Sequence, residues 1–464
     1  MNVLVLVIAL ILFGVLAFKQ MSALILAPFV SIFVLLCAFA LGDPNIPAAI
    51  QAASKTADVG ILSGLQLLFM AGAANYVKNY FLVFFVGALF GAVYQATGAA
   101  ESIARWMSAK ARDKFVAPII MCITGVLTFG GISGFTVFFV IYPIALSMFK
   151  RANLSRKLLP GAISAGTWTW SMTAPWSPSI QNVIAMRSLG TPSFAAPIAS
   201  FIATVGEFIL IFWWLEYRAR KLTKQGYYFD DPRLTYQLSP SEIDAGTDKE
   251  LPSPFNAFLP IILMLLFFNA PKSLPIIGSF FSQKVENAVF FGILLAVVTN
   301  FTRVKEGMKG WLKVFNKGAA DSGVAILNTA IVVGFGSIAQ NTQGFKDLVS
   351  GLLKWNISPL IFVMITVAVC AGACGSASGG MSVAFNALTD TFKALGIPLE
   401  YVHRIGAIAA GTLDTLPHQG AQITLLGICK TTHKEAYWDI FVTQIVMPFA
   451  ALAIFIPLAA MGIM

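Results

Sequence analysis

Residues 130–167, GGISGFTVFFVIYPIALSMFKRANLSRKLLPGAISAGT, align without a gap with residues 375–412, GSASGGMSVAFNALTDTFKALGIPLEYVHRIGAIAAGT, and ten of the thirty-eight positions are identical. The identities gather at the two ends, in the glycine-rich openings and in GAISAGT and GAIAAGT. Glycine and alanine at matched positions mark places where the backbone itself matters. A polar, glycine-rich interruption that occurs twice inside apolar sequence, once per half, is the pattern of a secondary transporter built from two repeats.

The sequence around these stretches supports a membrane setting. The chain has 464 residues, 57% hydrophobic and 11% charged, with mean hydropathy +0.79. A soluble protein with so little charge could not cover its surface with polar groups. Helices are expected at 2–17, 21–41, 80–98, 158–189 with a break, and 195–216, then at 253–270, 285–301, 318–340, 400–430 with a break, and 438–462. Segments 115–149 and 358–394 are too long for one span and carry central glycines, as expected of re-entrant hairpins. The apolar N-terminus lacks the basic region of a signal peptide and runs into a second apolar segment, so it is read as a span. Segment 42–79 is the weakest assignment, because 59–72 could be a further helix.

The expected fold is therefore an all-α polytopic membrane protein with two inverted repeats of about five transmembrane helices, each with a re-entrant hairpin and a broken helix. The first repeat is 1–218, a solvent-exposed cytoplasmic linker is 219–252, and the second repeat is 253–464. Five crossings per half invert the second repeat by parity. With both termini outside, the cytoplasmic segments hold 22 of the 31 Lys and Arg residues, as the positive-inside rule requires. The net charge of +10 thus follows membrane topology, and no nucleic-acid partner is expected. The partners expected are the lipid bilayer and a small organic anion. The five cysteines lie in apolar segments without the spacing of a zinc or disulfide framework, and are read as packing residues.

The residues able to carry chemistry cluster at the interruptions. The first hairpin tip has Gly130, Gly131, Ser133 and Gly134; the second has Gly375, Ser376, Ser378 and Gly379. Unwound backbone there would free amides and helix N-termini for an anion. Close helix packing through small residues is the alternative. The first broken helix brings Thr173, Ser177, Ser179 and Asn182 around Pro175 and Pro178, and the second brings Thr415, His418 and Gln419 around Pro417. These side chains could hold a carboxylate and a hydroxyl group. Trp168 and Trp170 are read as packing or interfacial groups, and Trp176 as a possible cavity wall.

Asp414 is the acidic side chain placed well inside a broken apolar segment. An intramembrane carboxylate costs about 3 kcal/mol or more unless it pairs, binds a cation or takes a proton. With His418 four residues on, it forms a candidate relay for a coupling ion, H+ or Na+; the alternative is a helix-break cap. His403 and Arg404 are read either as anion-attracting or as ordinary interface charges, and Glu207 as a weaker second carboxylate. No metal centre, P-loop or cofactor fingerprint is evident, so neither enzyme nor ATP-driven pump is expected, and no cofactor.

The hairpins, LDTLPHQGAQITLL at 413–426 and THKEAY at 432–437 together resemble the gluconate permease family (GntP) of the ion transporter superfamily, most strongly over Phe135–Thr191 and Cys374–Asp439. The resemblance implies cation-coupled symport of a small organic acid anion such as gluconate or 3-hydroxybutyrate. It also implies a homodimer in a bacterial inner membrane and an elevator-like motion. The order of polar residues from Asp414 to Gly420 differs from that of gluconate carriers, and the tryptophans suggest a smaller pocket, which favours a short hydroxy or keto acid. A sodium/proton antiporter and an intramembrane enzyme with His418 as base are the competing readings.

Overall fold

A computed structural model of the chain describes residues 3–18, 21–56, 58–111, 114–132, 134–238, 250–354, 357–417 and 419–464. All regular structure among them is helical. Five helices are long and apolar enough to cross a bilayer: Ala23–Ala40, Ile61–Thr97, Pro197–Lys224, Met308–Ala339 and His433–Ala460. Val3–Leu16, Val116–Phe129, Pro254–Phe268, Val285–Thr299 and Pro359–Cys374 are shorter apolar helices. Pro197–Lys224 leaves Ile198, Phe201, Ile209 and Trp213 exposed along one side while Ala199, Ala203, Glu207, Ile211 and Leu215 are buried on the other. A large apolar face of that kind suits lipid tails and not water.

Segment 59–72 is not a separate helix. It opens the continuous helix Ile61–Thr97 through a π-helical stretch at Leu65–Met70, because no proline interrupts residues 61–97. The later spans also run past their expected ends, to Lys224 and back to Met308. Long Lys and Arg side chains continue a helix into the interface while their charges reach water.

Compactness does not follow the sequence halves. One unit comprises Met1–Phe81, Ile184–Thr191 and Val324–Ile423; the other comprises Leu82–Val183, Pro192–Gly323 and Thr424–Met464. Each unit draws on both halves of the sequence and contains one complete hairpin with most of the broken helix from the same half.

The first unit holds the second hairpin, Pro359–Cys374 followed by Ala377–Ala394, packed against Leu399–Ala410. Gly380 lets the two arms close, since a Cβ there would run into the backbone of Ala371. At the opposite end of the sequence, Asp43 joins two helices. Its carboxylate accepts from the amide of Asn45 at 2.9 Å and from that of Gln343 at 2.9 Å, at the starts of Asn45–Ala53 and Gln343–Lys354.

The second unit holds the first hairpin, Val116–Phe129 followed by Gly134–Arg151, packed against Leu159–Trp168. Gly166 sits against the backbone of Met121 and Gly125, too close for a Cβ. The segment expected to be a free linker is partly built into this unit. Residues to Lys224 are helical, and Phe229, Asp231 and Leu234 are buried. The guanidinium of Arg156 donates to the carbonyls of Phe229 at 3.2 Å and Tyr236 at 2.8 Å. A buried guanidinium needs several acceptors, and this stretch of loop supplies two. Residues 239–249 of the expected linker lie outside the described residues.

Candidate functional site

The first group of candidate residues lies in the second unit. Val116–Phe129 ends through hydrogen bonds from Gly130 N to Val126 O at 2.9 Å and from Gly131 N to Thr128 O at 2.9 Å. Gly131 has φ +83°, a conformation that an L side chain resists. Ser133 lies outside the described residues. Gly134 then begins the return arm against Thr167 and Trp168 of the broken helix, where a Cβ would meet Thr167 Cγ2 at 2.8 Å.

The broken helix comprises Leu159–Trp168, Trp170–Thr173 and Ile180–Leu189. Pro175 and Pro178 cannot donate amide hydrogens, so carbonyls before them lose helical partners. The predicted site side chains take over that role. Ser177 donates to Ser171 O at 2.8 Å, Ser179 donates to Met172 O, and Asn182 donates to Ala174 O at 3.0 Å and Ser177 O at 2.9 Å. Thr173 donates to Thr169 O at 3.3 Å. These groups hold the break open as a defined structure, and what they can offer a ligand is hydroxyl or amide oxygen lone pairs. Trp168 packs edge-on to Phe138 with ring centres 4.8 Å apart, and Trp170 packs edge-on to Phe208 at 5.4 Å. Trp176, at φ +66°, is exposed.

The second group of candidate residues lies in the first unit. Gly375, at φ +55°, terminates Pro359–Cys374, and Ser376 caps Ala377–Ala394 by accepting from Gly379 N at 3.2 Å. Ser378 is buried with its side chain directed at the hydroxyl of Tyr76. The second broken helix runs from Leu399–Ala410 through a 3-10 turn at Leu413–Thr415 to Gly420–Ile428. Its turn packs on the hairpin: a Cβ on Gly372 would meet Leu413 Cβ at 2.8 Å.

Asp414 is buried at this junction and faces the backbone amide of Ala377, the first residue of the hairpin's return arm. The positive end of a helix thus meets a carboxylate. Gln419 donates from Nε2 to Asp414 Oδ2 at 3.1 Å, while Asp414 Oδ1 and Gln419 Oε1 are buried with no hydrogen-bond partner among the described residues. Thr415 donates to Thr412 O at 3.0 Å. His418 lies outside the described residues.

The structure adds Gln422 to this group. It is fully buried, and neither its amide nitrogen nor its oxygen has a partner among the described residues. It lies in the first turn of Gly420–Ile428, three residues after Gln419, which precedes that helix. His403 and Arg404, read as anion-attracting or as interface charges, do not lie at the protein surface. Both are fully buried, and His403 Nδ1 lies 2.7 Å from the Thr191 hydroxyl. That contact joins residues 212 apart, so no local pattern announces it. Oxygens such as Asp414 Oδ1 and the two glutamine carbonyls are the ligand type for a proton, sodium ion or water.

Residues 1–311 match the citrate transporter family (CitMHS), and residues 235–463 match the sodium/proton antiporter family. The chain is 31% identical over 98% of its length to an uncharacterized transporter, YxjC, of Bacillus subtilis, covering 98% of that protein. It is 23% identical over 68% of its length to an uncharacterized permease of Haemophilus influenzae, covering 67% of it. Its fold is similar to that of the Alcanivorax borkumensis YdaH transporter, described as having an unusual topology, with a TM-score of 0.59 at 14% identity, over 94% of this chain and 98% of that one. An all-helical chain with lipid-facing spans and two helix breaks braced by polar side chains is in keeping with these relatives: it belongs to the citrate transporter family and is an integral membrane transporter.

Proposed function

We propose that this protein is a cation-coupled secondary transporter, a proton symporter of a small organic acid anion such as a hydroxy monocarboxylate of the 3-hydroxybutyrate or gluconate class. The observation that carries the proposal is the buried Asp414 at the second hairpin tip, with an unsatisfied carboxylate oxygen beside the unsatisfied oxygen of Gln419. A carboxylate so placed stays in the membrane by taking up a cation, and a coupling site is a place where that uptake is reversible. The starts of Gly134–Arg151 and Ala377–Ala394 are helix N-termini, whose partial positive charge suits an anion. The gluconate permease resemblance and the citrate transporter family match both favour an organic acid as cargo. By the same resemblance the protein works as a homodimer in a bacterial inner membrane and moves its hairpins in an elevator-like way.

Uptake of labelled 3-hydroxybutyrate, gluconate and citrate into proteoliposomes tests the proposal, first with an imposed pH gradient and then with an imposed sodium gradient. Accumulation driven by the pH gradient is expected. Failure to accumulate any anion under either gradient overturns the proposal.

A second reading, sodium/proton antiport, is favoured by the match of residues 235–463 to the antiporter family. It predicts coupled sodium and proton fluxes with no organic anion present, and the same liposomes measure them.

A further inference from the structure

Glu207 lies in the middle of the apolar span Pro197–Lys224 and is 1% exposed. We propose that Glu207 is a proton-binding carboxyl, linked through Thr173 to the first helix break, and so a second intramembrane proton site besides Asp414. The site does not depend on the identity of the substrate; its consequence for transport rests on the coupled-transport reading above.

The charge inventory around Glu207 carries the inference. Pro197–Lys224 packs on Val116–Phe129, Leu159–Trp168, Trp170–Thr173 and Met447–Ala460, and also on the turn Arg156–Leu158. Across the first four of these the sequence holds one titratable side chain, the thiol of Cys122, and no cation. The exposed Lys114 precedes Phe115, whose ring meets Phe212 more than a turn from Glu207. Arg156 and Lys157 pack on Phe229 and Tyr227, beyond the helix end at Lys224. On the helix itself, Glu216 and Arg218 stand roughly 13 and 16 Å further along the axis, and Arg218 is bound to Asp439 at 2.5 Å. An ionised Glu207 would have no counter-charge within reach, whereas the protonated acid needs none.

The hydrogen bonding gives the proton a structural effect. Thr173 is a hydrogen-bond partner of Glu207, and Glu207 Oε1 is buried without another among the described residues. Thr173 has one hydroxyl proton. Directed to Thr169 O, as in the 3.3 Å contact, it leaves the Thr173 oxygen to accept from a protonated Glu207; directed to Glu207, it stabilises the ionised carboxylate instead. When Glu207 loses its proton, the hydroxyl turns to the carboxylate and gives up Thr169 O. That exchange occurs in the last turn before Ala174 and Pro175, where the helix breaks. The proton on Glu207 therefore decides how the end of Trp170–Thr173 is tied down.

Infrared spectra of the purified full-length protein test this without any transport step. At neutral pH the wild-type minus Glu207→Gln difference should contain a protonated carboxyl C=O band, and Asp414→Asn should retain that band. Superimposable wild-type and Glu207→Gln spectra in the carboxylic acid region overturn the proposal. If Glu207→Gln does not fold, Thr173→Ala decides: loss of the hydrogen bond should shift a protonated carboxyl band, and an unshifted spectrum overturns the link. Failure of anion uptake with the band present would instead remove the transport reading and leave the proton site standing.

Discussion

The side-chain amide of Gln419 donates to Oδ2 of Asp414 across 3.1 Å, and Oδ1 of the same buried carboxylate has no partner among the described residues. One oxygen is held in place and the other is not. Positioning by a neutral amide keeps the charge of the carboxylate unneutralised, which a salt bridge would not.

Asp414→Asn keeps the shape and the Gln419 contact but cannot bind a proton or balance a sodium ion. Gradient-driven accumulation should fall by at least about 100-fold, equivalent to roughly 2.7 kcal/mol of lost coupling, while exchange of internal for external anion persists. Counterflow and accumulation in one liposome preparation separate the two. Accumulation at the wild-type level would remove Asp414 from the coupling role.

Asn182→Ala should damage stability more than affinity. It leaves the carbonyls of Ala174 and Ser177 without their Nδ2 donor at a buried break, costing about 1–3 kcal/mol. A lower thermal midpoint in detergent with little change in the substrate Kd is the expected pair of results. An unchanged midpoint with weakened binding would assign Asn182 to the ligand instead.

Asp43 makes part of the stability pH-dependent. Burial opposes its charge most strongly of any single cause, but hydrogen bonds and nearby positive charge, with the amides of Gln343 and Asn45 among them, together outweigh it and hold the carboxyl below its ordinary value. A depressed native value contributes stability at pH above the ordinary carboxylate range of about 4, and that contribution disappears as pH falls through the lowered value. Asp43→Ala should remove about 1–2 kcal/mol, two helix caps at once, and flatten the acid limb of stability against pH. Thermal unfolding across acid pH checks this, and parallel curves for the two proteins would contradict it.

Gly380→Ala and Gly351→Ala should differ in sign. A Cβ at Gly380 meets Cα and N of Ala371 and lies 2.6 Å from the carbonyl carbon of Cys370, all of it backbone that cannot rotate away. A loss of about 3 kcal/mol, at the upper end for overpacking, is expected. At Gly351, inside Gln343–Lys354, nothing lies within 4 Å of the added Cβ, so alanine should stabilise by about 0.5–1 kcal/mol. Folded yield and thermal midpoint report both.

Arg218 and Asp439 form a two-bond pair, with Nε to Oδ1 at 2.5 Å and Nη2 to Oδ2 at 3.1 Å, and Trp214 adds a third donor at 3.2 Å. Arg218→Met should destabilise by about 3–5 kcal/mol by stranding a buried carboxylate, and Arg218→Met with Asp439→Leu should recover much of it. Thermal unfolding of the two variants measures the coupling.

Much of this was legible in one dimension. The two glycine-rich openings, the prolines at 175, 178 and 417, and Asp414 in an apolar run identify hairpins, breaks and a carboxylate from chemistry local to each segment. A proline lacks its amide hydrogen wherever it stands, and an aspartate in apolar sequence is costly whatever surrounds it. Tertiary structure decided which groups are already engaged. The hydroxyls of Ser177 and Ser179 are spent on carbonyls six and seven residues back, Thr191 reaches His403 across 212 residues, and half of the expected linker is fastened to Arg156. The compact units also cut across the two halves of the sequence. A sequence shows how many donors and acceptors a segment owns and how apolar it is. The partner each donor finds depends on distances between segments far apart in the chain, and those exist only once it has folded.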